Sequence, residues 1–176
     1  MLNMQQNWKL DLIPYPKCGA LSTCKVHKGF VETYNSAKQF VFEQVKKFKT
    51  QYPRSKIYVT GYSLGAAQAV YCALELNLAG YDTDLLTFGS PRPGNKAFAD
   101  FVNQYMQRTH YRVTFANDAV TALPLKSLGY YHTGTEVNFK RGGGFKVELP
   151  LLSDKDYFMR PYNLWDHLRN NYEALN

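Results

Sequence analysis

The sequence predicts an α/β domain, a mostly parallel central sheet flanked by helices. Two patterns carry that expectation. Short apolar strands alternate with stretches of helical periodicity between Phe30 and Phe115, and such alternation pairs strands in parallel through crossover helices. Breakers fall between those segments, at Tyr52-Pro53, Gly80 and Gly89-Ser90-Pro91, so each segment has a defined end.

Phe30, Tyr34, Phe40, Val41, Val45 and Phe48 recur at helical spacing, which places a helix over 30–49. Ile57-Tyr58-Val59-Thr60 reads as a buried strand. An Ala-rich helix follows over 66–78 and stops at Gly80. Leu85–Phe88 is the next strand, then a helix over 95–108 and a strand over 111–115. After Pro124 the character changes. Tyr130-Tyr131-His132 and Glu136–Phe139 read as antiparallel strands, and Arg141–Gly144 turns the chain into Phe145–Leu149. A short helix is expected from Trp165 to Leu175. No repeat, low-complexity stretch or linker interrupts the chain, so one domain over 1–176 is expected.

Of the 176 residues, 45% are apolar and 20% charged, ordinary globular usage that excludes a disordered or collagen-like chain. No apolar run approaches the ~18–20 residues of a membrane span. Met1–Gln6 has neither the basic patch nor the apolar core of a signal peptide, so the chain is cytosolic, already processed or incomplete at its start. The net charge is +7, with a cluster at Lys46, Lys47, Lys49, Arg54 and Lys56 that reads as a solvated face. No RNA-binding signature or zinc-finger spacing accompanies it, which argues against a nucleic-acid partner. Cys18 and Cys24 flank a short loop that a disulfide would close if the chain matures outside the cell. Their spacing is wrong for a zinc knuckle, so no metal is expected. Cys72 falls in a helical apolar pattern and reads as a core residue.

The chemistry centres on Gly61-Tyr62-Ser63-Leu64-Gly65, set between a strand and a helix. A tight turn there lifts a serine hydroxyl above the sheet in a strained backbone conformation, beside the helix N-terminus. Glycine is expected at both flanking positions because side chains would collide. A serine nucleophile needs a base, and the base an orienting acid, in the chain order Ser, Asp or Glu, His. Asp118 follows a predicted parallel strand and so shares a rim of the sheet with Ser63. His167, in Trp165-Asp166-His167-Leu168, is the expected base, with His132 the runner-up. Asp166 and Asp154 are alternatives to Asp118, whereas His27 and His110 lie in the wrong order.

These residues resemble the fungal-type class 3 lipase family, which also contains feruloyl esterases. Val26–Phe30, Val59–Ala66, Thr87–Asn95, Asn117–Val120 with Leu123-Pro124, and Tyr131–Val137 are similar to the family's blocks in the family's order, and Asp166-His167 lies where the family keeps its histidine. The resemblance implies an α/β-hydrolase fold, a Ser63–His167–Asp118 triad and ester hydrolysis without a cofactor, with the Leu64 backbone N–H as one oxyanion donor. It implies a triacylglycerol lipase contacting a lipid interface, and keeps a feruloyl-type esterase and a truncated, non-catalytic lipid-binding homologue as alternatives. Secretion is implied if the full-length homologue carries a signal peptide. Tyr62 replaces a histidine usual before the serine and Thr121 a usual proline, neither expected to carry chemistry. Asn7-Trp8 with Asp11-Leu12 is similar to the family's lid segment, which follows a strand supplying the other oxyanion donor. The chain is therefore expected to lack N-terminal elements and to leave a sheet edge unpaired. Trp8, Leu10, Leu12 and Ile13 read either as an apolar lid face or as core packing.

Overall fold

A computed structural model describes residues 10–19, 23–106, 110–149 and 163–169. The chain runs through β1 (Leu12–Pro14), β2 (Lys25–His27), α1 (Lys28–Gln51), β3 (Ile57–Tyr62), α2 (Leu64–Leu78), β4 (Thr83–Phe88), β5 (Gly94–Asn95) and α3 (Lys96–Tyr105). It continues through β6 (His110–Phe115), β7 (Tyr130–Tyr131), β8 (Thr135–Phe139), β9 (Phe145–Glu148) and α4 (Leu164–Arg169).

The main sheet has the order β3-β4-β6-β8-β9, and the first four strands are mutually parallel. The crossovers follow the predicted alternation of strand and helix. One expectation fails here. Thr135–Phe139 is parallel to β6, with Tyr111 opposite Thr135, because the connection from Ala116 to Gly134 is long enough to return the chain to the sheet's starting end. Only β8 and β9 form the expected antiparallel hairpin, through Arg141–Gly144. Tyr130-Tyr131 belongs instead to a second, antiparallel sheet of order β1-β2-β5-β7. Its strands hold two or three residues each, too few for a period to show in sequence.

Helix α2 is the centre of the core. Ala66, Ala67, Ala69 and Ala73 are buried together with Val70, Tyr71 and Leu74, so the small side chains let this helix lie close against β3 and β4. Tyr15 and Tyr71 pack on Phe98, and the Tyr71 hydroxyl donates to the Pro93 carbonyl at 2.6 Å. Glu75 is buried in the same helix. Its carboxylate accepts from the Tyr15 hydroxyl at 2.9 Å and pairs with Lys38 and Lys17, which satisfies a charge that would otherwise be costly to bury. Cys18 and Cys24 form a disulfide with Cα atoms 6.3 Å apart, and Cys72 stays free on α2.

The sheet buries one face and bares the other. Leu85, Thr87, Arg112, Thr114 and Glu136 are buried, while Tyr58, Leu86, Tyr111 and Val147 on the opposite face are 42–74% exposed. Strand β3 is an edge, with nothing paired to its outer side among the described residues. The apolar stripe of α1 is buried only over its first turns; Phe40 and Phe48 are exposed. Helix α3 ends at Tyr105 and α4 is described to Arg169, so residues 107–108 and 170–175 of the two predicted helices lie outside the described residues, as does Trp8. Leu12 and Ile13 are half-buried in β1, paired with β2, whereas Leu10 is exposed.

Three core histidines are held neutral by burial. The pKa of His27 is lowered to about 4 and that of His110 to about 3, and His132 is also pushed well down by burial and by Arg112. In the unfolded chain these rings titrate at about 6.5. Between the two values the unfolded state binds more protons, so stability is present above about pH 6.5 and drains away as the pH falls towards 4. Urea midpoints measured at pH 7.5 and pH 4.5 are expected to differ steeply in that direction; equal midpoints would contradict it.

Candidate active site

The site starts at the junction of β3 and α2. Ser63 has φ 56° and ψ −126°, a conformation that non-glycine residues rarely adopt. Its N–H donates to the Phe88 carbonyl at 2.9 Å, which fixes the strained residue against β4. Gly61 is required for this turn: a Cβ there would lie 2.3 Å from the Gly65 carbonyl oxygen. Gly65 is not required on the same ground, since a Cβ there meets nothing within 4 Å. The expected crowding is therefore one-sided.

Asp118 lies just past β6, 2% exposed. One carboxylate oxygen accepts the Val120 N–H at 2.8 Å, and the other lies 2.9 Å from His167 Nδ1. His167 Nε2 in turn lies 2.9 Å from Ser63 Oγ. With Nδ1–H donating to the carboxylate, Nε2 accepts from the serine hydroxyl, the polarity that a base needs to take that proton. The structure thus brings Ser63, His167 and Asp118 into one hydrogen-bonded chain. His132 stands apart, its Nε2 on the Thr121 carbonyl at 2.7 Å.

Helix α4, which carries His167, is held by polar contacts from outside it. Asn163 accepts the Trp165 N–H and donates its own N–H to the Asn117 carbonyl, next to Asp118. Asp166 is buried; it accepts from Arg141 at 2.6 and 3.0 Å and from the Asn117 N–H at 3.2 Å. Asp166, read from sequence as an alternative acid, therefore clamps the histidine segment to the β6 loop and the β8–β9 turn. Gly89, at the end of β4, was given no role by the sequence. It has φ 55°, and a Cβ there would sit 3.0 Å from His167 Cε1 and 3.1 Å from Asp118 Oδ2. Its only sequence signal is the Gly-Ser-Pro stop after the strand.

A cavity of about 470 Å³ opens beside Ser63. Its walls are apolar, with Leu10, Phe30, Leu64, Pro91, Leu123 and Leu128 among them. His27 also lines it, although chain order had set this residue aside. The ring stacks on Phe30 with centroids 3.7 Å apart, and Nδ1 accepts the Phe30 N–H to cap α1. Among the described residues no cluster could hold a metal ion, and no helix is long and apolar enough to cross a membrane.

Residues 2–128 match the family model "Lipase (class 3)". The chain belongs to the class 3 lipase family. It is 39% identical over 153 residues to a secreted mono- and diacylglycerol lipase of Fusarium solani, an alignment covering 87% of this chain and 43% of that protein. A Rhizomucor miehei lipase is 39% identical over 142 residues, covering 74% and 38%. The chain thus spans less than half the length of these curated class 3 lipases. Among solved structures it is similar to the Rhizopus microsporus var. chinensis lipase, with TM-score 0.80 and 28% identity over 92% of this chain and 58% of that one. It is similar as well to a triacylglycerol lipase whose catalytic centre is a serine-protease triad, with TM-score 0.82 and 31% identity over 92% and 63%. The fold is that of the α/β-hydrolases.

Two glycine variants test the geometry. Gly89→Ala drives a methyl group into the Asp118–His167 pair and is expected to slow Ser63 labelling by a fluorophosphonate at least tenfold. Gly65→Ala, in open space, is expected to stay within about threefold of the parent. Equal rates in the two variants would contradict this packing.

Proposed function

We propose that this chain is a serine carboxylic-ester hydrolase of lipid esters, most directly a triacylglycerol lipase. The observation that carries the reading is the hydrogen-bonded chain Ser63–His167–Asp118 beside an apolar cavity. An acyl chain fills such a cavity, and the hydroxyl at its mouth attacks the ester carbonyl. His167 takes the Ser63 proton and returns it to the departing alcohol. Asp118 holds the tautomer and offsets the charge on the imidazolium. The Leu64 N–H, at the first turn of α2, donates to the developing oxyanion, where removing one such donor typically costs ~10²–10³ in turnover. Water then attacks the acyl-serine, with His167 as base, and frees the acid.

Support for a lipid rather than a soluble ester comes from exposed apolar side chains on the cavity wall and on α4. Leu10 and Leu128 line the cavity, and Leu164, Trp165 and Leu168 stand on the helix that carries His167; all five are 49–69% exposed. Exposed apolar groups of this kind suit contact with a lipid surface. The relatives named as mono- and diacylglycerol lipases point the same way, and the Cys18–Cys24 disulfide fits an oxidising compartment.

Ser63→Ala is expected to abolish hydrolysis of a p-nitrophenyl ester and fluorophosphonate labelling while the far-ultraviolet circular dichroism stays unchanged. Undiminished labelling of the variant would remove Ser63 from its role. A folded parent that does not label would favour the non-catalytic, lipid-binding alternative. With emulsified tributyrin the rate is expected to rise sharply past the solubility limit; activity confined to soluble phenolic esters would replace the lipase reading by the feruloyl-esterase one.

A further inference from the structure

Tyr62 stands where the family usually has histidine, and its contacts go beyond filling that space. Its ring lies parallel to the His167 imidazole, with centroids 4.8 Å apart and planes 18° from coincidence. Its hydroxyl donates to the backbone carbonyl of the same residue at 2.6 Å. One side chain on β3 therefore holds both the ring and the peptide of His167 on α4. The phenol remains a donor at neutral pH, since burial and then the charge of Asp118 raise its pKa.

We propose that Tyr62 is a positioning residue for His167. This rests on the proposed role of Ser63. Its π face supports the positive charge that the imidazole acquires when Ser63 gives up its proton, as an aromatic face does for a nearby cation. Its hydroxyl fixes the backbone from which the imidazole hangs, so that Nε2 stays within reach of Ser63 Oγ. The other groups that bear on this ring are the Asp118 carboxylate at Nδ1, the Ser63 hydroxyl at Nε2 and, one residue away, Asp166 paired with Arg141. A leucine at position 62 withdraws ring and hydroxyl together, whereas phenylalanine withdraws only the hydroxyl.

The test is an NMR titration of the His167 Cε1–H in the parent, Tyr62→Phe and Tyr62→Leu, a measurement that needs no turnover. The leucine variant is expected to titrate about half a pH unit below the parent, because the imidazolium has lost its π face. The phenylalanine variant is expected to stay within about 0.2 units. Ester hydrolysis is expected to fall several-fold in the phenylalanine variant and at least tenfold in the leucine variant, with Tyr62→His, the family's usual residue, restoring part of it. Identical titrations in the parent and the leucine variant would overturn the proposal, as would equal shifts in the phenylalanine and leucine variants. If the leucine variant fails to fold, Tyr62→Met serves in its place. Failure of the Ser63 reading is distinguishable, since it appears as absent fluorophosphonate labelling of the parent whatever the titrations show.

Discussion

The hydrogen bond between Asp118 and His167 is the interaction on which the site depends. It joins residues 49 positions apart, one on the loop after β6 and one on α4. The position of α4, like that of most helices in a folded chain, rests on tertiary contacts. Those contacts are polar and specific. Asp166 takes Arg141 and the Asn117 N–H, Asn163 bonds the Asn117 carbonyl, and Tyr62 holds the His167 carbonyl. Gly89 leaves the empty space that the pair requires. Ser63 is fixed differently. Its strained turn is locked between a parallel sheet and a buried helix, and Gly61 is the one position where any side chain would break it.

Much of this was legible from the amino acids because each signal was local. Gly61-x-Ser63-x-Gly65 between an apolar strand and an alanine-rich helix specifies the turn, the place after a parallel strand favours Asp118, and the Ser, Asp, His order leaves His167 with His132 as runner-up. The parallel core was legible for the same reason, since strands β3, β4 and β6 are separated by helices. What escaped was non-local. The parallel direction of β8 depends on the path of a long irregular connection, and the small sheet on pairings between segments of two or three residues. His27, set aside for its place in the chain, lines the cavity because β2 delivers it there, and chain order carries no information on that. The Gly65 expectation assumed a symmetric turn; the crowding lies on the strand side alone.

Tyr62 touches His167 through both its ring and its hydroxyl. From sequence it was an exchange of one side chain for another beside the serine. In the fold it faces the imidazole because residues 62 and 63 stand at the end of β3, and His167 is brought over that end by the Asp166 clamp. The bared sheet face and the edge of β3, unpaired among the described residues, lie outside this apparatus. Ser63, Asp118 and His167 meet through their side chains, so their geometry is set by β3, β4, β6 and α4.

The central claim is that Ser63 carries the acyl group between the two halves of the reaction. Acid quenching during turnover of a slow ester, followed by peptide mass spectrometry, tests it most directly. An acyl adduct is expected on the peptide containing Ser63, formed at a rate that matches the appearance of the alcohol. Turnover with no adduct, or with an adduct on another residue, would contradict it.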